Sequence, residues 1–426
     1  MKIYLDMVGC RLNQSEIERF AQQFTEAGHQ LTGDPGQADL AVVNTCTVTT
    51  AAAADSRKMI RRLHREGAGE VVVTGCWSTL EPASAADLPG VSRVIDNQGK
   101  DQLVLQLLEG QEVDLDREPG VRELIPGDRL RTRANIKVQD GCDHRCAFCV
   151  TTLARGEGKS VPIPEILSQI RAAERSGVKE VVLTGVQLGS WGHELEGEAG
   201  LAAVVRAVLQ DTDIPRVRLS SLEPWDLGED LIELLRSRRL APHLHLPLQS
   251  GSDATLQRMG RKITAGEYAD LVARVRSTVP EAAITTDVMA GFPGETDREF
   301  QESAAFVRAL NFAGGHVFTY SPRPGTPAAA REDQVDYPVR KARNAALREI
   351  LSASAKAYRD QFLGERLHVL WESVTGSSAE GWQLRGLSGN YLRVSGSAEE
   401  NLWNQLTPFR VTGVTERGVV GDIIPS

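Results

Sequence analysis

The chain has 426 residues, 41% of them hydrophobic and 25% charged, the make-up of a globular protein too long for one ordinary domain. No run approaches the roughly 20 apolar residues of a membrane-crossing helix, and Met1–Cys10 lacks the basic stretch and cleavage site of a secretory signal, so a cytosolic protein with no membrane partner is expected. A formal charge of −9 argues against a general polyanion binder. In a reducing compartment the six cysteines point to metal binding or catalysis rather than to disulfides.

In chain order, Lys2–Val8 reads as a strand, and Ile17, Phe20, Ala21, Phe24 and Ala27 then recur at helical spacing. Asp39–Val43, Glu70–Thr74 and Val91–Ile95 read as further strands, with an alanine-rich helix from about Thr50 to Glu66 between the first two. This alternation implies a parallel sheet covered on both faces. Cys10, Cys46 and Cys76 follow the first three strands, at the carboxyl edge where open α/β sheets bind ligands. Three cysteines on one edge predict a shared metal cluster.

Arg117–Gly127 reads as a linker. A second alternating series follows, with strands at Asn135–Gln139, Glu180–Thr184, Arg216–Ser220, His243–Leu248, Ala283–Met289 and His316–Tyr320. Six strand–helix units without a break predict an incomplete parallel barrel that reacts at the carboxyl ends of its strands. A long helix, about Val339 to Phe362, leads out. The texture then changes to short strands with glycine turns (His368–Trp371, Tyr391–Val394, Phe409–Val411), a pattern that predicts a small β-barrel.

The segment GCDHRCAFC, Gly141–Cys149, sits after the first barrel strand and has the spacing Cys-x3-Cys-x2-Cys. Three thiolates in one tight loop ligate three irons of a cubane and leave the fourth open. The rival reading is a structural zinc site using the same cysteines with His144. It fits poorly, because such sites usually draw two ligand pairs from separate segments.

With Phe148 before its last cysteine, this loop resembles the signature of the radical S-adenosylmethionine superfamily. The resemblance implies that S-adenosylmethionine chelates the open iron and is cleaved to a 5′-deoxyadenosyl radical. GCRLNQSE (Gly9–Glu16), NTCTVT (Asn44–Thr49), VVLTGVQLGSWG (Val181–Gly192), RLSSLEP (Arg218–Pro224), LPLQSGSDATLQRMGR (Leu246–Arg261), DVMAGFPGET (Asp287–Thr296) and FTYSPRPGTPA (Phe318–Ala328) resemble the methylthiotransferases across essentially the whole chain. By that resemblance Cys10, Cys46 and Cys76 hold an auxiliary 4Fe-4S cluster and Cys142, Cys146 and Cys149 the radical one. The blocks around Cys10 and Cys46 resemble the subgroup that methylthiolates carbon 2 of threonylcarbamoyladenosine beside the tRNA anticodon. Its relatives act on isopentenyladenosine in tRNA or on an aspartate of a ribosomal protein. A zinc-stapled RNA-binding protein without catalysis is the remote alternative.

The expected fold is therefore α/β. It comprises an N-terminal flavodoxin-like parallel sheet (residues 1–125), an incomplete (β/α)6 radical S-adenosylmethionine barrel (130–335), a connecting helix (336–362) and a TRAM-like β-barrel (363–426). The implied partners are S-adenosylmethionine, a tRNA anticodon stem-loop, an electron donor such as a flavodoxin or ferredoxin, and a sulfur source. Phe148, Gly185, Gln187, Ser220, Gln249 and Asp287, on or near strand ends, are the candidate S-adenosylmethionine contacts. Arg155 and Arg323, on loops after the first and last barrel strands, are candidates for a substrate phosphate or carboxylate, which a guanidinium fork suits; surface salt bridges are the plainer reading. His243 and His245 read as structural. Two features depart from the family pattern. Thr151–Leu153 stand where an apolar, proline-containing stretch is usual, and Gly364–Ser426 has five arginines, no lysine and seven acids, an acidic balance for a barrel expected to grip RNA.

Overall fold

The computed structural model describes residues 1–108, 125, 132–195, 200–378 and 381–424. The expected linker Arg117–Gly127 lies outside these except for Ile125. The chain forms two compact units, one from Met1–Arg145, Cys149–Gly177 and Thr184–Gln187, the other from Cys146–Phe148, Val178–Leu183 and Leu188–Ser426.

In the first unit β1 (Lys2–Met7), β2 (Gln30–Leu31), β3 (Leu40–Thr45), β4 (Glu70–Gly75) and β5 (Val91–Val94) form a sheet of order β2-β1-β3-β4-β5, parallel throughout. That is the flavodoxin-like order. All six residues of β3 are buried, as befits a central strand covered on both faces. On one face Ile17, Phe20 and Phe24 of α1 (Arg11–Glu26) pack with Ile3, Leu5, Leu40 and Val42. On the other, Ile60 and Leu63 of α2 (Thr50–Arg65) pack with Ala41, Val43, Val71 and Val73. The hydroxyl of Thr49 accepts from the Ala52 N–H and starts α2, a cap of about 1 kcal/mol. Two short helices follow β4, α3 (Cys76–Leu80) and α4 (Pro82–Ala86), and α5 (Leu103–Leu107) follows β5. Beyond them are β6 (Arg133–Lys137), the antiparallel pair β7 (Gln139–Asp140) and β8 (Lys159–Ser160), α6 (Thr151–Arg155) and α7 (Ile163–Arg175).

The second unit contains β9 (Glu180–Thr184) through Leu183, parallel to β10 (Arg216–Leu219), and parallel β11 (His243–His245), β12 (Ala283–Ala290) and β13 (Gly314–Thr319). Bridges Val217–Leu240 and Ser221–His245 join β10 to the β11 segment. The intervening helices are α8 (Leu201–Asp211), α9 (Glu229–Leu234), α10 (Asp253–Arg258), α11 (Ala265–Thr278) and α12 (Asp297–Ala309). Thr264 with Glu267, and Thr296 with Glu299, form reciprocal capping boxes at the starts of α11 and α12. The long helix α13 (Tyr337–Asp360) leads to a closed barrel of β14 (Arg366–Ser378), β15 (Gly381–Ser388), β16 (Arg393–Ala398), β17 (Leu406–Val414) and β18 (Val419–Ile423), in order β14-β15-β16-β18-β17. Trp371 meets Phe409 edge-on in its core, ring centroids 5.8 Å apart.

This barrel is seated on the amino ends of the parallel strands. Ala283, the first residue of β12, joins its core. Tyr391 stacks on His243 at 4.0 Å. Arg216 donates to Leu387 O at 3.0 Å, and Arg218 to Ser388 O and Gly389 O. Among the described residues no helix is long and apolar enough to cross a membrane.

Candidate metal and cofactor site

Cys10, Cys46 and Cys76 stand at the carboxyl ends of β1, β3 and β4, Cys10 as the N-cap of α1 and Cys76 as the first residue of α3. Two glycines let their loops converge. Gly9 has φ +117°, and a Cβ there would lie 2.6 Å from Cys46 Cβ and 2.8 Å from its Sγ. Gly75 has φ +101°, and a Cβ there would lie 2.3 Å from Thr45 O. Both the left-handed backbone and the lack of space demand glycine. Burial pushes the Cys46 thiol up to about 11, and the neighbouring charges of Cys10 and Cys76 add to the rise. Such a thiol stays protonated in water until a metal ion takes the proton's place.

Beneath these loops lies a buried polar network. Glu16 of α1 accepts from Lys100 at 2.8 Å and from Arg155 at 3.0 Å, and all three side chains are 3% exposed. Arg155 also donates to Asp140 Oδ1 at 2.8 Å and to Asn13 Oδ1 at 2.8 Å. Burial alone would raise the Glu16 carboxyl, but Arg155 and Lys100 hold it well below the usual carboxylate range. Asn13 in turn donates to Val8 O and Thr45 O, beside two of the three cysteines. Asn97 reaches the third, with Nδ2 3.7 Å from Cys76 Sγ and 2.7 Å from Ala154 O.

In the same unit Gly141 opens the second cysteine loop at φ +69°, where a Cβ would lie 1.8 Å from Glu157 O. Cys142 Sγ is 3.2 Å from Gln187 Oε1, and Gln187 also bonds His144. Cys149 Sγ accepts from the Thr151 N–H at 3.3 Å and lies 3.1 Å from its hydroxyl. In the other unit Cys146 Sγ lies 3.9 Å from Arg261 Nη1. That guanidinium is fixed by Glu223 at 2.6 Å and by the Trp225 ring, 4.5 Å away.

Among the described residues no three Cys, His, Asp or Glu side chains close to metal-ligand spacing. By donor chemistry the residues nonetheless fit iron–sulfur clusters. Each triplet is all-thiol, the usual ligand set of such clusters. N–H groups of Thr151, Asn97 and Arg261 point at sulfur, the kind of outer contact that tunes a thiolate ligand.

The other candidates lie as follows. Phe148 meets Phe292 edge-on at 6.4 Å beside Met259 and Met289. Ser220, after β10, is buried and its hydroxyl has no hydrogen-bond partner among the described residues. Gln249 is held in the left-handed region at φ 70° by backbone bonds to Asp287 O and from Met289 N, a strained conformation of the kind that gathers at binding sites. Asp287 accepts from His245 and His316, both at 3.3 Å, so His245, read from sequence as structural, belongs with a cofactor candidate. These residues share the second unit. Gly185 and Gln187 belong to the first, Gln187 buried against the Cys142 loop. Arg155 is buried and its fork is taken up by Glu16, Asp140 and Asn13 rather than turned outward. Arg323 is half-buried on the loop after β13, where its carbonyl accepts from Thr326. Sequence reasoning missed Asn13, Glu16, Asn97, Lys100 and Arg261, although Asn13, Glu16 and Arg261 fall inside family-like blocks.

Comparison with known proteins shows the family. Residues 136–307 match the radical SAM superfamily, and residues 2–95 match uncharacterized protein family UPF0004. The chain is 34% identical to the threonylcarbamoyladenosine tRNA methylthiotransferase MtaB of Bacillus subtilis over 95% of its own length and 92% of the relative's. It is equally identical to the MtaB of Thermotoga maritima, covering 98% and 96%. It is 33% identical to the tRNA-2-methylthio-N(6)-dimethylallyladenosine synthase of Maricaulis maris, covering 100% and 98%. In fold it resembles the radical S-adenosylmethionine methyltransferase TsrM from Kitasatospora setae, with a TM-score of 0.59 at 15% identity over 77% of each chain. The chain belongs to the radical SAM tRNA methylthiotransferases.

Proposed function

We propose that this enzyme adds a methylthio group to carbon 2 of threonylcarbamoyladenosine next to the anticodon of tRNA, in the cytosol, using two 4Fe-4S clusters and two molecules of S-adenosylmethionine per product. The observation that carries this reading is the convergence of Cys10, Cys46 and Cys76 on one sheet edge, with Gly9 closing the Cys10 and Cys46 loops against each other. A second all-thiol loop, Cys142 to Cys149, then provides the separate site the chemistry needs. When bound, the Cys142–Cys149 cluster supplies the electron that cleaves S-adenosylmethionine and the N-terminal one supplies the sulfur to be methylated and transferred.

The chain's own residues bind and orient. Ser220 offers a desolvated hydroxyl with no competing partner among the described residues. Asp287 presents a carboxylate kept ionised by two histidines, suited to ribose hydroxyls or an ammonium group. Phe148 is braced by Phe292 as an apolar wall. Arg323 is the candidate for the threonyl carboxylate of the substrate, which distinguishes it from a dimethylallyl group. The electron is expected from a small flavodoxin or ferredoxin, and the sulfur from a separate donor.

Nucleoside mass spectrometry tests the assignment. Expressed in cells lacking the methylthio mark on threonylcarbamoyladenosine, the chain should restore that mark. Restoration on dimethylallyladenosine alone would move the substrate to the second subgroup, to which the Maricaulis maris relative points.

A further inference from the structure

Within the first unit, two side chains, Arg155 and Asn97, tie the three N-terminal cysteine loops to the chain on either side of the second cysteine loop. Arg155 ends α6, six residues beyond Cys149. Its Nη1 lies 2.8 Å from Asp140, two residues before Cys142, and 3.0 Å from Glu16, six residues after Cys10. Its Nη2 lies 2.8 Å from Asn13 Oδ1, and the same oxygen is 3.8 Å from Cys10 Sγ. The Asn13 amide continues to Val8 O at 2.8 Å and Thr45 O at 3.0 Å, on the approaches to Cys10 and Cys46. Asn97 binds the carbonyl of Ala154, next to Arg155, and points at Cys76. A full positive charge, 3% exposed, thus stands one amide away from the Cys10 thiol, in a medium where charges act strongly on one another.

We propose that Arg155 is a positioning residue whose charge, delivered through Asn13 beside Cys10, sets the reduction potential of the metal group held by Cys10, Cys46 and Cys76. This rests on the two-cluster reading above. A cluster gains negative charge on reduction, and a fixed buried cation favours that state; net charge and hydrogen bonding at sulfur are the main levers on cluster potentials. Glu16, whose carboxylate partly neutralises Arg155, acts with the opposite sign. Neither residue need touch substrate.

The test uses the full-length chain with Cys142, Cys146 and Cys149 all replaced by Ala, loaded anaerobically with iron and sulfide so that only the N-terminal group is present. Iron per chain and the midpoint potential, followed by electron paramagnetic resonance, are read for this protein and for added Arg155→Gln, Arg155→Lys or Glu16→Gln. The expected results are a more negative potential for Arg155→Gln, recovery toward the parent value in Arg155→Lys, and a more positive potential for Glu16→Gln. An Arg155→Gln protein that keeps its iron with potential and spectrum unmoved overturns the inference. If Arg155→Gln takes up no iron, Arg155→Lys decides: loading at the parent potential supports a role for the charge, and failure to load overturns it. No iron in the parent triple-alanine protein would instead sink the two-cluster reading itself, and this inference with it.

Discussion

Glu180 and Arg218 form an ion pair with no exposed side-chain surface on either partner, Arg218 Nε standing 2.7 Å from Glu180 Oε1. Arg216 joins the same carboxylate, and both arginines spend their remaining donors on carbonyls of the small barrel. Removing one partner of such a buried pair leaves an uncompensated charge and costs about 3–5 kcal/mol. Glu180→Ala should lower the melting temperature and make the barrel after α13 a preferred site of limited proteolysis. An unchanged melting curve and digestion pattern would deny the pair this role.

Ser220→Ala makes a contrasting case. Its buried hydroxyl has no hydrogen-bond partner among the described residues, so its loss should leave the unfolding midpoint unchanged. If that hydroxyl binds S-adenosylmethionine, affinity should fall about five- to tenfold, the worth of one hydrogen bond of about 1 kcal/mol or slightly more. Calorimetric titration with S-adenosylmethionine measures it, and equal affinity would remove Ser220 from the site.

Gly9→Ala places a methyl group 2.6 Å from Cys46 Cβ on a backbone at φ +117°. The expected outcome is a stability loss of about 1–3 kcal/mol and selective loss of the N-terminal iron, with the iron of the Cys142 loop retained. Iron assay in the background lacking Cys142, Cys146 and Cys149 separates the two.

The Asp287 pair predicts a pH profile. Burial would raise this carboxyl, but hydrogen bonds from His245 and His316 and their charge bring it down to about 2; the same hydrogen bond raises His316. The Asp287 contribution to stability is present above its unfolded value of about 3.9 and is lost as pH falls toward about 2. That of His316 is present below about 6.5 and is lost as pH rises through the raised folded value. Asp287→Asn should return His316 to its ordinary titration, visible in the ring-proton NMR shifts. A titration that stays raised would place the cause elsewhere.

Much of this molecule is legible in its sequence because the signals are local. The apolar run in β3, the helical spacing of Ile17, Phe20 and Phe24, and the Cys142–Cys149 spacing need no knowledge of the rest of the chain. The pairings that shape the site are not local. Arg155 meets Glu16 across 139 positions and Arg261 meets Cys146 across 115, and no periodicity encodes such partners. An arginine on a loop after a barrel strand reads equally well as a substrate fork or as an internal tie. β15, GWQLRGLS, escapes sequence reading because its glycines and polar residues break the alternation, and β18 because Gly421 and Asp422 interrupt a short apolar run. Cys76 opens a helix of five residues, too short for any helical period to show.

The seat of the small barrel governs reach. It stops the parallel strands at the end where they begin, whereas Ser220 and Gln249 lie where they finish. A ligand touching both must therefore extend the length of β12, eight residues or about 26 Å at roughly 3.3 Å per residue. A stem-loop has that stature and a lone nucleoside does not. The acidic residues of the barrel are thereby held at the opposite end of the parallel strands from Ser220 and Gln249.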